Sequence, residues 1–133
     1  PAMESVIGLG EACRYLKRWG FDAIAAHERS LTRYALERLS RVPGLTVRGP
    51  LDAEARGGSV SFTIDGVEAH GVARMLSHRF NICVRSGFHC AQPAHEALHS
   101  PPTVRASFYL YNTLDEVELL AESLEQVSTV VGA

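Results

Sequence analysis

The chain has 133 residues, of which 46% are apolar and 21% charged, and its formal net charge is -2. This length and composition are typical of one globular domain with its own core. A nearly balanced charge, no run of about twenty apolar residues and no signal-peptide pattern at the start argue against binding to nucleic acid or a membrane. We therefore expect a cytoplasmic protein.

Two helices are predicted at the start of the chain. Apolar residues recur at helical spacing over 3–19, and Gly20 follows in the position that often ends a helix. Asp22 can cap a second helix, which we expect to continue until the Pro-Gly pair at 43–44.

Short strands and one more helix are predicted in the middle of the chain. Residues 45–49 and 58–64 have strand character, and in the second segment every other residue is apolar, which is the period of a half-buried strand. A helix is expected over 67–80, followed by a strand over 81–85. The chain as a whole is therefore predicted to be α+β.

The last strand and helix have clear local signals. In TVRASFYL, which begins at Thr103, Val104 and Ala106 face one way and Arg105 the other, so that a charge is mounted on an anchored strand. Thr113 and Glu116 form a capping-box pattern at the start of the final helix.

A long loop, 86–102, separates the last two strands and carries Cys90 between His89 and Ala91. Loops of this length in compact domains are usually functional or mobile. Neighbouring cations such as Arg85 favour the thiolate, which is the nucleophilic form of cysteine. Cys90 is therefore the leading catalytic candidate, and a small, half-buried apolar residue is the alternative.

The neighbours of Cys90 and the other cysteines allow more than one interpretation. His89 either exchanges protons with the thiol or is a structural histidine, and Arg85 either raises the local positive potential or forms a structural salt bridge. Three cysteines without a framework-like spacing indicate reduced thiols. Cys13 and Cys83 lie in apolar patterns, and we expect both to pack in the core.

Residues 95–99, HEALH, match the pattern in which two histidines on a helix bind zinc. Pro93 lies just before this segment and Ser100-Pro101-Pro102 just after, which leaves room for two helical turns at most. No third ligand is evident. We therefore assign no metal site, and the zinc hypothesis is the weaker alternative.

The segment from Arg85 to Thr113, which contains RSGFHCAQP and TVRASFYLYNT, resembles the C-terminal signature of the SUF-type cysteine desulfurases and the related selenocysteine lyases. These are pyridoxal phosphate enzymes of the class V aminotransferase fold. The resemblance implies the small C-terminal domain of a fold-type I enzyme, with an antiparallel-rich sheet covered by helices. Residues 1–20 would be the helix that links it to a larger domain, and residues 21–133 the small domain with the Cys90 loop.

The same resemblance implies a function. The complete enzyme would take sulfur from L-cysteine as a persulfide on Cys90, release L-alanine and pass the sulfur to an acceptor protein of the SUF system for iron–sulfur cluster assembly. It would be a homodimer. Arg105 corresponds to the family arginine that clamps the substrate carboxylate, with an ion pair as the alternative, and Arg85 is assigned with it to substrate binding. His89 is assigned with Cys90 to catalysis, and selenocysteine stays open as the preferred substrate.

Pyridoxal phosphate would be bound mainly by the larger domain. The cofactor needs a lysine for covalent attachment, and the one lysine here, Lys17, is typical of a solvated helix residue. We expect this chain alone to be inactive. The sequence departs from the commoner family pattern at Phe88, where many members have histidine, and at Ser86, where threonine is usual. A stand-alone domain that accepts persulfide or binds a partner through the loop is the alternative.

Overall fold

The computed structural model describes residues 2–131 and confirms the α+β class. In chain order the elements are α1 (Met3–Trp19), α2 (Phe21–Leu39), β1 (Leu45–Arg48), a 3-10 turn (Ala53–Ala55), β2 (Ser59–Ile64), α3 (Ala69–Phe80), β3 (Arg85–Gly87), α4 (Gln92–Ala97), β4 (Thr103–Ser107) and α5 (Leu114–Val131). In the part of the chain described, no helix is long and apolar enough to cross a membrane.

The four strands form one antiparallel sheet in the order β1-β2-β4-β3. The predicted alternation in β2 is confirmed, since Val60, Phe62 and Ile64 are buried. Val104 and Ala106 of β4 are buried beside them in the same core cluster. In the strand order β4 lies inside the sheet, between β2 and β3, and the three-residue strand β3 forms one of its edges.

Helices α2, α3 and α5 supply the other half of the core, through side chains that include Leu31, Leu39, Leu76, Leu124 and Val127. The capping box that begins α5 is confirmed. The Thr113 N–H donates to Glu116 Oε2 at 3.0 Å, and the Glu116 N–H donates to Thr113 Oγ1 at 3.3 Å. These paired bonds satisfy two backbone donors that a helix start otherwise leaves free.

Three local predictions were wrong. Asp22 lies inside the first turn of α2, and Gly20, with φ 81°, is the residue that caps it. The helix ends at Leu39, before the Pro-Gly pair at 43–44. The strand predicted over 81–85 contributes only Arg85 to the sheet, because Asn81 adopts a left-handed conformation with φ 55° that ends α3 and turns the chain.

Cys13 and Cys83 are exposed, which contradicts their predicted packing in the core. Cys13 lies on α1, a helix without a buried residue in the described structure. Cys83 alternates with Ile82 and Val84, which pack against the core, and it therefore faces outward. All three cysteines are free thiols, as their spacing indicated.

Candidate active site

Cys90 lies in a tight turn between β3 and α4. The Ala91 N–H donates to the Phe88 carbonyl oxygen at 2.8 Å, and the two central residues have positive φ values, 55° for His89 and 58° for Cys90. This is the pattern of a type I′ turn, which favours glycine and asparagine at both positions. Each non-glycine residue in this conformation costs about 1–3 kcal/mol. The turn therefore needs side-chain contacts that hold it.

The predicted loop 86–102 is more ordered than its composition indicated. Residues 86 and 87 belong to β3, and 92–97 form the short helix α4. Cys90 is exposed in the connection between them, so its interpretation as a half-buried apolar residue is wrong.

The Cys90 thiol contacts a cation from the preceding strand. Arg85 Nη2 lies 3.2 Å from Cys90 Sγ in a donor geometry, and both side chains are exposed. An exposed thiol in contact with a cation is a feature of nucleophilic cysteines. The structure therefore brings together the thiol and the arginine that the sequence analysis singled out.

A second arginine lies beside the first. Arg85 and Arg105 are Cα partners in the pairing of β3 with β4, and Arg105 is partly exposed while its neighbours in β4 are buried. Among residues 2–131, neither guanidinium pairs with a carboxylate, and Arg105 Nε is buried without a hydrogen-bond partner. Two adjacent cations that lack a counter-charge form a suitable site for a carboxylate.

His89 faces the interior side of the turn. Its Nε2 lies 2.8 Å from the Thr103 hydroxyl oxygen, and its Nδ1 is buried without a partner in the described structure. Burial lowers the pKa of His89, and the positive charges of Arg105, His95 and Arg85 lower it further. The imidazole is therefore neutral near physiological pH and can accept a proton.

Sequence reasoning missed Thr103 as part of the site. Its position two residues before Arg105 on one strand places both on the same face, which was the available signal. Its partner could not be identified without the fold, because His89 lies 14 residues earlier.

The helix α4 supports the turn from its other side. His95 Nδ1 lies 3.0 Å from the Pro101 carbonyl oxygen, and the Phe88 ring packs edge-on against the His95 ring with centroids 5.3 Å apart. Phe88 therefore has a packing role in the turn.

The strand before the turn, β3, is held by a histidine of α3. His70 Nδ1 lies 2.8 Å from Ser86 Oγ.

The zinc hypothesis gains no support from this geometry. As the flanking prolines predicted, α4 is short, and His99 lies beyond its end with φ 47°. Within the residues described, no group of three or more histidine, cysteine or acidic side chains is arranged to hold a metal ion.

The residues of this chain also do not fit covalent binding of pyridoxal phosphate. Lys17 is exposed in the last turn of α1, where the described structure has no buried residue to form an enclosed pocket. An enclosed apolar pocket lowers the pKa of a lysine and positions its amine for imine formation.

Residues 1–120 match the family described as aminotransferase class-V. The chain belongs to the class-V aminotransferase family. This class-V chain is 44% identical over 132 residues to a probable cysteine desulfurase from Streptomyces coelicolor, an alignment that covers 99% of the chain and 31% of that protein.

Solved structures agree with the family assignment. The apo cysteine desulfurase from Thermococcus onnurineus NA1 matches 98% of the class-V chain at 36% identity with a TM-score of 0.92. The S-sulfonic acid structure of the cysteine desulfurase CsdA from Escherichia coli matches 98% at 27% identity with a TM-score of 0.88. The chain spans 32% of each of these two proteins.

Proposed function

We propose that this chain is the small C-terminal domain of a pyridoxal phosphate-dependent cysteine desulfurase of the SUF type, with Cys90 as the sulfur-accepting nucleophile. The observation that carries the proposal is the contact of Arg85 Nη2 with Cys90 Sγ at 3.2 Å, in a turn that exposes the thiol. The similarity to proteins named cysteine desulfurase over nearly the whole chain supports it.

In the sulfur-transfer step, the Cys90 thiolate attacks the sulfur atom of L-cysteine. A sulfur–sulfur bond forms, the substrate carbon–sulfur bond breaks, and the electron pair of that bond stays on carbon. The carbon then takes up a proton, which gives L-alanine, and Cys90 carries a persulfide. Activation of the carbon–sulfur bond is the task of the cofactor, which other residues of the complete protein would hold.

The three polar neighbours of Cys90 have distinct proposed roles. Arg105 binds the substrate carboxylate, which suits a partly exposed guanidinium that pairs with no carboxylate in the described structure. Arg85 holds the Cys90 sulfur through its Nη2 and shares in binding the anionic substrate, because its side chain is exposed. His89, which directly precedes Cys90 in the turn, is the proposed proton acceptor, and its lowered pKa keeps it neutral.

The surface of α1 supports a larger domain in the complete protein. This helix exposes a set of large apolar side chains, namely Met3, Val6, Ile7, Leu9 and Trp19. Exposed apolar surface of this extent is typical of a face that another domain covers. Residues 1–20 would then link the larger, cofactor-binding domain to the small domain formed by 21–133. We place the homodimeric enzyme in the cytoplasm, where it supplies sulfur to an acceptor protein for iron–sulfur cluster assembly.

The test is L-alanine formation from L-cysteine by the complete protein. We expect a yellow protein much larger than 14.5 kDa, in which Cys90→Ser abolishes turnover. Cys83→Ser is the matched control, since Cys83 is also exposed but lies outside the turn. Equal activity of the two variants would refute the assignment, and a colourless protein of 14.5 kDa would favour the stand-alone module.

A further inference from the structure

A buried hydroxyl lies under the turn that presents Cys90. Thr103 is 2% exposed, and its Oγ1 lies 2.8 Å from His89 Nε2. The backbone of Thr103 is fixed by its pairing with Gly87 in the β3–β4 ladder. The hydroxyl therefore has a fixed position in the sheet, and the imidazole that contacts it belongs to a turn with an unfavourable backbone conformation.

Several contacts hold this turn, including the packing of Phe88 on His95. The hydrogen bond from the Ala91 N–H to the Phe88 carbonyl closes the turn, Arg85 contacts the Cys90 thiol, and Thr103 contacts the His89 imidazole. The Arg85 contact joins two exposed side chains, and its acceptor is the sulfur atom that reacts. The Thr103 contact ends on a buried residue and can persist through the reaction.

The surroundings of His89 also favour one position for the ring proton. A proton on Nδ1 would be a buried donor without an acceptor in the described structure. A proton on Nε2 donates to the Thr103 hydroxyl oxygen. The second tautomer leaves only a lone pair at the buried Nδ1.

We propose that Thr103 is a positioning residue for Cys90. Its hydroxyl accepts a hydrogen bond from His89 Nε2 in the tautomer that leaves Nδ1 without a proton, and this contact holds the turn against its backbone strain. Because β4 carries Thr103 and Arg105 on the same face, one strand fixes the thiol turn relative to the second arginine. This inference rests on the proposed function, in which Cys90 is the sulfur acceptor.

The test compares Thr103→Val, which removes the hydroxyl at nearly constant shape, with Thr103→Ser, which keeps the hydroxyl. The complete protein is treated with iodoacetamide without substrate, and the alkylation rate of each cysteine is followed by peptide mass spectrometry. We expect Thr103→Val to slow the reaction of Cys90 about fivefold, the factor expected for one ordinary hydrogen bond. Thr103→Ser should restore the rate, and the exposed thiols Cys13 and Cys83 serve as internal references.

An unchanged Cys90 rate in Thr103→Val, or equal losses in both variants, would overturn the proposal. A second measurement needs no substitution at all. Nitrogen-15 NMR of the unmodified protein should show His89 protonated at Nε2, and protonation at Nδ1 would also overturn it. Neither experiment requires desulfurase turnover, so a failure of the proposed function would be seen separately as an absence of alanine formation.

Discussion

Arg85 and Arg105 lie directly opposite each other on the antiparallel strands β3 and β4. Direct partners in an antiparallel pair project to the same side of the sheet, so the pairing brings two positive charges together. Like charges in this position destabilise a sheet unless an anion lies nearby. A substrate carboxylate bound between the two arginines would supply that compensation.

Replacement of the first arginine should slow the chemistry of the thiol. In Arg85→Gln, Cys90 loses a charged donor, and hydrogen bonds to charged groups contribute about 1.5–3 kcal/mol. Both side chains are exposed, so we expect the low end of that range, which is about a tenfold slower alkylation at neutral pH. Arg79→Gln, at an exposed arginine near the end of α3, is the control and should react at the original rate.

Replacement of the second arginine should change the titration of His89. The positive charge of Arg105 is one of the causes that lower the pKa of His89, after burial. Arg105→Gln should therefore raise this pKa toward its ordinary value of 6.5, as measured by NMR titration. Arg74→Gln removes an exposed arginine that does not contribute to the shift and should leave the titration unchanged.

The same lowered pKa has a consequence for stability. The folded state binds a proton at His89 less readily than the unfolded state does. The contribution of neutral His89 to the free energy of unfolding is therefore fully present above pH 6.5 and decreases as the pH falls toward the lower folded pKa.

The NMR titration of the two arginine variants tests this arrangement of charges. A rise in the His89 pKa in Arg74→Gln, or no rise in Arg105→Gln, would contradict it.

Acid should weaken the contact between α2 and α5. Arg38 donates two hydrogen bonds to Glu118, at 2.6 and 2.7 Å, and Tyr34 donates a third at 2.5 Å. These bonds lower the pKa of Glu118 from 4.5 to about 2. The stability contributed by the carboxylate is thus fully present above pH 4.5 and is lost as the pH falls to about 2.

Urea unfolding across this pH range checks the Glu118 prediction. Glu118→Gln should be less stable at neutral pH and should lose less stability on acidification than the original protein. Glu37→Gln, which breaks an exposed pair with Arg41, should retain the original acid dependence. An unchanged acid dependence in Glu118→Gln would show that this network does not contribute to it.

The backbone of Phe108 lies so close to Gly58 that a side chain at position 58 should destabilise the protein. A Cβ at this position would lie 2.7 Å from the Phe108 carbonyl oxygen, and the Phe108 N–H already donates to the Gly58 carbonyl oxygen at 2.7 Å. Gly58→Ala should therefore lower the free energy of unfolding by about 1–3 kcal/mol. Gly57→Ala is a matched control, because a Cβ there meets no atom within 4 Å. Equal stabilities of the two variants would contradict the close approach of Gly58 to Phe108.

Local signals in the sequence were sufficient for much of the fold. The alternation in 58–64 gave β2 and the capping box gave the start of α5, because both depend on residues close together in the chain. The prediction of a strand over 81–85 failed because Ile82 and Val84 face the core without belonging to a strand. An apolar alternation alone does not reveal whether backbone pairing accompanies it.

The candidate site was only partly predictable. Cys90, His89 and Arg85 were identified from their proximity in sequence and from the family resemblance. The contact from Arg85 to Cys90 depends on positive φ values at two residues that disfavour them, which sequence patterns do not predict. The contact from His89 to Thr103 depends on the pairing of β3 with β4, which no local pattern reveals.

The location of the transferred sulfur tests the central claim most directly. The complete protein is incubated with L-cysteine, its thiols and persulfides are trapped by alkylation, and its peptides are mapped by mass spectrometry. We predict that the Cys90 peptide carries the mass of one additional sulfur atom, while the exposed thiols Cys13 and Cys83 do not. Additional sulfur on Cys13 or Cys83 with an unmodified Cys90 would contradict the assignment of Cys90 as the sulfur acceptor.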